Sequence, residues 1–219
     1  MTIGFILLIL TGLLILFGAG QRVLDRLRLT DRQAILFIAL IIAGGFVPDI
    51  PVTDTFAFNI GGALVPLALC VYLWTKADTF IERARSLLAA LLTGVAVFSL
   101  GRLLPSEPEN MAIDPIYAYG IAAGLIAYVF GRSRRGAFIA GTVGVMLADL
   151  ANWGYANAMG ARQRLALGGA GGFDAVVIAG LLAVLISELL GEILERASRG
   201  RRKPTREFRN GDFVRREQR

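Results

Sequence analysis

Asp149 and Asp174 are the residues whose type and spacing most demand a chemical reason. Each lies in a long apolar stretch, GAFIAGTVGVMLADLANW from Gly136 and DAVVIAGLLAVLISELLGEIL from Asp174, and each sits at the end facing the other. A carboxylate in hydrocarbon costs several kcal/mol, on the order of 3 by insertion scales and far more by others. Two carboxylates at one depth can share a proton and do acid–base work. With an amide or backbone oxygens they can hold a hard cation. They can also tie helix ends together, through an arginine or, for Asp174, by capping its own helix. These three readings stay open at the level of sequence.

Other polar groups reach the same level. Asn59 stands early in one apolar stretch, Arg102 late in the next, Asp114 at the start of another, and Asn152 beside Trp153. Asp149 is four residues before Trp153, about 6 Å inside that interfacial anchor. The run Gly168, Gly169, Ala170, Gly171, Gly172 precedes Phe173 and Asp174; such glycine density lets a loop re-enter or a backbone approach closely. Pro66, behind Gly61 and Gly62, interrupts a helix and frees backbone carbonyls, a usual place for substrate or ion contacts. Asn59, Pro66, Arg102, Asp114, Asp149, Asn152 and Asp174 are therefore the candidate substrate- or ion-binding set. Glu188 shares a helix face with Asp174 but lies about 21 Å away, with Ile178, Leu181 and Leu185 between, so that helix alone offers no proton wire.

The elements that carry these residues are membrane helices. The 219 residues are 55% apolar, with 26 glycines, and seven stretches qualify as spans, for which roughly 20 apolar residues are needed, the second of them being short. They are Ile3 to Gly20, Ala34 to Pro48, Phe56 to Thr75, Leu87 to Leu104, Ile113 to Gly131, Gly136 to Trp153, and Phe173 to Ile193. Lysine and arginine collect in cytoplasmic loops. Here they fall after the first, third, fifth and seventh stretches, leaving only Arg102, Arg162 and Arg164 of 23 on the other side. The expectation is an all-α, polytopic single bundle of seven transmembrane helices in the inner membrane, N-terminus out and C-terminus in. Residues 1–195 form the membrane domain, and residues 196–219 a basic, disordered cytoplasmic tail whose arginines suit anionic lipid.

Local signals refine this. Thr30 with Gln33 and Thr79 with Glu82 read as capping boxes that start helices. Ala140, Gly144, Ala148 and Asn152, and Ala175, Ala179, Ala183 and Ser187, recur every four residues, so the sixth and seventh spans are expected to pack along these faces. Gly120 and Gly124 form a further GxxxG. Glu188, Glu192 and Glu195 are expected to meet the basic loops.

Histidine is absent and Cys70 is the single cysteine, so zinc, haem, iron–sulfur and disulfide chemistry lack their ligands. No cofactor or metal is expected. The positive charge lies in loops and tail rather than on a binding face, which argues against a nucleic-acid partner.

At NIGGALVPLALCVYL, MLADLANW and GGAGGFDAVVIAGLLAVLI the chain resembles a family of uncharacterised bacterial and archaeal membrane proteins, domain of unknown function sixteen-fourteen. That resemblance implies an integral membrane protein and brings no catalytic residues. A looser similarity is to the aspartyl intramembrane proteases, which keep one aspartate on each of two neighbouring helices, the second in a Gly-x-Gly-Asp motif. Here the second motif reads Gly171, Gly172, Phe173, Asp174, with phenylalanine next to the aspartate. The leading expectation is a small permease or proton- or cation-coupled carrier with its polar site on the outer side. The alternatives are a protease with Asp149 and Asp174 as catalytic dyad, and a non-catalytic assembly protein.

Overall fold

In the computed structural model, the described residues are 29–103, 115–131, 133–169, 174–199, 206–209 and 212–215. They are mostly helical. Helix α1 is Asp31–Gly45, α2 Val65–Thr75, α3 Phe80–Leu103, α4 Pro115–Gly131, α5 Arg134–Ala158 and α6 Ala175–Arg199. Thr30 closes a full capping box on α1 with Gln33; at the start of α3 the Thr79 hydroxyl accepts from the Glu82 N–H, but the Glu82 carboxylate accepts from the Asp78 N–H, so the second expected box forms only by half.

Three helical segments, Phe80–Leu103, Arg134–Ala158 and Ala175–Ala197, are long and apolar enough to cross a membrane; Arg32–Gly45, Ile60–Thr75 and Ala118–Phe130 are shorter apolar helices. Their side-chain distribution is inverted relative to a water-soluble core. On α3 the residues turned inward are Ser86, Ala89, Ala90, Thr93, Gly94 and Val97, while Leu87, Leu88, Leu91, Leu92 and Val95 are exposed. Small residues at helix contacts and large aliphatic ones outside are compatible with an integral membrane protein.

Helix α5 is the centre of the bundle and packs on α2, α3, α4 and α6. Glycines set how closely. A Cβ on Gly144 would lie 2.6 Å from Thr93 of α3, and one on Gly141 would lie 2.6 Å from the Ala179 carbonyl oxygen of α6. Cβ atoms on Gly120 and Gly124 would lie 2.7 and 2.8 Å from Leu182 and Ile186, so the GxxxG of α4 seats α6. The sixth and seventh spans do pack together, and on α6 the expected face takes part through Ala179; on α5 the close contact is at Gly141 rather than Gly144, which faces α3.

The all-α expectation also needs an addition. The stretch from Phe56 does not begin as helix: β1 (Ile50–Thr53), β2 (Phe56–Phe58) and β3 (Leu165–Leu167) form a small sheet of order β1-β2-β3, with β1 and β2 antiparallel and β2 and β3 parallel. Phe56, Ala57 and Phe58 lie opposite Leu165, Ala166 and Leu167. A π-helical turn, Ile60–Leu64, follows and leads into α2. Pro66, at the first turn of α2, has no N–H to donate to the Gly62 carbonyl, which is why a wider turn is tolerated before it. In the tail, β4 (Arg206–Arg209) and β5 (Asp212–Arg215) pair antiparallel.

Candidate functional site

Two contacts fix the antiparallel register of α5 and α6. Thr142 meets Gly180, and Arg134 forms an ion pair with Glu188, so Glu188 meets a basic loop as expected. Continued to the other end, this register sets Asp149 level with the residue just before Asp174. At 1.5 Å per residue the two carboxylates differ in depth by about 1.5 Å, and they lie within electrostatic reach of each other. Asp149 is half-buried and makes no hydrogen bond or ion pair among the described residues. Asp174 stands at the N-terminus of α6, where its Oδ1 accepts from the Val176 N–H at 3.0 Å and its carbonyl from Val177 and Ile178. Its capping role holds it in place. Beneath the pair, Val145, Met146, Ala148, Val176 and Ala179 pack with Ala63 and Leu167 in one buried cluster.

The sheet covers this end. Trp153 Nε1 donates to the Thr55 carbonyl at 3.0 Å, and its ring lies 5.5 Å from that of Phe56. Asn59 is the hub: it is 2% exposed, donates through Nδ2 to the Val47 carbonyl (3.1 Å) and to Asp49 Oδ1 (3.0 Å), and accepts at Oδ1 from the Gly62 N–H (3.0 Å). Its backbone N–H donates to the Leu167 carbonyl at 2.9 Å. Its side chain thus ties the loop after α1 to the π-turn, and its backbone ties both to β3. Gly168, at φ +70°, brings its backbone against Gly62 and Ala63, so close that a Cβ there would overlap them. Glycine density in this loop therefore serves close backbone approach.

The remaining candidates divide. Pro66 is fully buried beneath the π-turn, and Asn152 is half-buried one turn beyond Asp149. Arg102 is exposed and stacks on Tyr155 at 3.9 Å and Phe98 at 4.6 Å; among the described residues it pairs with no carboxylate. Gly169 donates its N–H to the Ala166 carbonyl within the turn after β3. Asp114, Gly171 and Gly172 lie outside the described residues. Asp49, absent from the sequence candidates, joins through Asn59; its place between Pro48 and Pro51 on a short loop was its only signal. Among the described residues no three carboxylate, histidine or cysteine groups come together as a metal site.

At the opposite end carboxylates and cations meet. Arg135, 8% exposed, pairs with Asp78 at 3.2 Å and Glu82 at 3.1 Å and donates to the Lys76 carbonyl. Ser133 donates to Glu82 at 2.8 Å, and Arg83 donates to the Thr75 and Ala77 carbonyls and stacks on Trp74. One end of α5 is thus ion-paired, and the other holds a carboxylate that meets no cation among the described residues.

No match is found among curated proteins or solved structures. A family profile described as protein of unknown function (DUF1614) matches residues 23–186, which takes in α5, the sheet and Asp174. The chain therefore belongs to this family of apolar, helix-rich proteins.

Proposed function

We propose that the chain is a multi-pass inner-membrane protein, a small proton-coupled carrier whose binding centre is the Asp149–Asp174 pair. The single observation that carries this reading is the half-buried Asp149, without a cationic partner among the described residues, facing a second carboxylate at its own depth. A carboxylate kept so has a use for a proton. Seven spans with the N-terminus out and the C-terminus in would put the pair on the outer side and the ion-paired Arg135 end inside, in line with the loop arginines. The basic tail then lies at the anionic leaflet.

The test is reconstitution in liposomes with an entrapped pH-sensitive dye under an imposed potassium diffusion potential. Wild-type protein should admit protons, and Asp149→Asn and Asp174→Asn should each lower the rate at least tenfold while the protein stays folded. Equal rates in all three would sink the carrier. A membrane substrate that instead accumulates uncut in both variants would move the same pair to the protease reading.

A further inference from the structure

Beyond the last helix, β4 and β5 carry a pattern that the Asp149–Asp174 centre does not use. They pair in the register Arg206 with Arg215, Glu207 with Val214, Phe208 with Phe213 and Arg209 with Asp212. The sequence places Asn210 and Gly211 between them, a dipeptide that strongly favours a two-residue hairpin connection. Directly opposite residues of an antiparallel pair share a face, and successive residues alternate between faces. One face therefore carries Arg206, Phe208, Phe213 and Arg215, and the other carries Glu207, Arg209, Asp212 and Val214.

The two faces differ in what they require. On the second, Arg209 lies opposite Asp212, a cross-strand pair of opposite charge that is favourable in itself. On the first, two arginines lie opposite each other beside two phenylalanines. Like charges directly opposite destabilise a strand pair, and a lone two-stranded hairpin is marginal in water. An anionic membrane surface answers both difficulties, because it offsets the repulsion between the arginines and offers an acyl boundary to the aromatic rings. The chain keeps the hairpin near such a surface. Helix α6 ends at Arg199 and β4 begins at Arg206, a separation that extended chain spans by at most about 25 Å. Ala175–Ala197 of α6 is long and apolar enough to cross a membrane. Residues 200–219 hold eight basic residues against three acidic, a balance that suits a leaflet of negative surface potential.

We propose that the β4–β5 hairpin is a docking element for anionic phospholipid. Its Phe208–Phe213 face lies on the leaflet beside the end of α6, with Arg206 and Arg215 at lipid phosphates, and Glu207, Arg209, Asp212 and Val214 face water. The inference rests on the multi-pass membrane reading and not on proton coupling; with the C-terminus inside, the leaflet is the cytoplasmic one.

The experiment places the full chain in nanodiscs of phosphatidylcholine alone and of equal parts phosphatidylcholine and phosphatidylglycerol. Cys70, the single cysteine, is replaced by alanine, and a nitroxide is attached in turn at Phe208→Cys, Phe213→Cys, Glu207→Cys and Val214→Cys. Docking predicts that in the mixed discs the first two labels are reached mainly by oxygen, which concentrates in the bilayer, and the last two mainly by a water-soluble nickel chelate. Hydrogen exchange of the chain with no label gives a second readout on the same strands. An arginine at an anionic surface is worth about fivefold in binding, so the β4 and β5 amides should exchange at least tenfold slower in mixed than in neutral discs. Arg206→Gln should cut that ratio about fivefold, and Arg209→Gln, equal in charge but on the other face, less than twofold. Four labels equally open to the chelate in mixed discs, or an exchange ratio below twofold, would overturn the docking. Equal immersion in neutral discs would overturn the arginine pair as the reader of anionic lipid. Exchange slowed by a single-stranded RNA oligonucleotide in neutral discs, but not by phosphatidylglycerol, would replace the lipid with a nucleic acid. No readout involves proton entry, so a failed hairpin leaves the carrier standing; a chain that does not enter the discs removes both.

Discussion

The contact between α5 and α6 can be broken with one methyl group. In Gly141→Ala the new Cβ would lie 2.6 Å from the Ala179 carbonyl oxygen, 2.9 Å from Gly180 Cα and 3.0 Å from the Ala179 carbonyl carbon, where ordinary contact begins at 3.4 Å. All three obstacles are backbone, so no side chain can swing aside and the helices must part by up to roughly 0.8 Å to restore a normal contact. A gap of that size forfeits about a quarter to a half of the dispersion energy across the neighbouring contacts, and overpacking of this kind costs about 1–3 kcal/mol. Alanine returns up to about 1 kcal/mol in helix propensity. The expected net loss is about 1–2 kcal/mol. Gly154→Ala on the same helix meets nothing within 4 Å and should gain about 0.5–1 kcal/mol from propensity alone. Equilibrium unfolding in mixed micelles, followed by circular dichroism, measures both. If Gly141→Ala were as stable as Gly154→Ala, the close α5–α6 packing, and with it the register that levels the two aspartates, would be wrong.

Three further outcomes follow from the same geometry. Arg135→Gln removes the cation from Asp78 and Glu82, whose side chains are 50% and 20% exposed; because solvent still screens them, the loss in melting stability should be about 1–3 kcal/mol rather than the full penalty of a deeply buried pair. Asn59→Ala leaves the buried Gly62 N–H without its acceptor and should cost about 1–3 kcal/mol in the same unfolding assay, with Asn59→Asp restoring only the acceptor half. Gly168→Ala combines a positive φ with a backbone overlap, so it should detach β3 and red-shift the emission of Trp153, which a Trp74→Phe background isolates; an unchanged spectrum would mean that the sheet does not depend on this turn.

Much of the helical frame was legible because its signals are local. Thr30 and Gln33, Thr79 and Glu82, and the apolar stretches each announce themselves within a few residues. Pro66 likewise marked the break, since the missing N–H acts on its own preceding turn. The sheet was hidden for a physical reason. Phe56–Phe58 is three residues long and runs without punctuation into an apolar helix, and its parallel partner Leu165–Leu167 is more than a hundred residues away. No local period records such a pairing. The glycine faces were visible, yet their partners were not, because helix rotation is set by the whole bundle: Gly144 turns to Thr93, while Gly141 meets Ala179. Arg102 reads as a counter-ion by charge alone, and only the fold brings Tyr155 beneath it. Asp149 and Asp174 could be assigned one depth from threading, but their mutual reach required the register fixed by Thr142–Gly180 and Arg134–Glu188.

Whether Asp149 and Asp174 act as one proton-sharing unit can be read from an infrared titration of the carboxyl bands of the protein in lipid. Coupled groups titrate as a pair, and their steps belong to neither residue alone. In a shared pair, Asp149→Asn displaces the titration of the Asp174 band, and Asp174→Asn displaces that of Asp149. Bands that titrate unchanged when the other aspartate is replaced would mean two independent carboxylates and would contradict the proton-sharing unit.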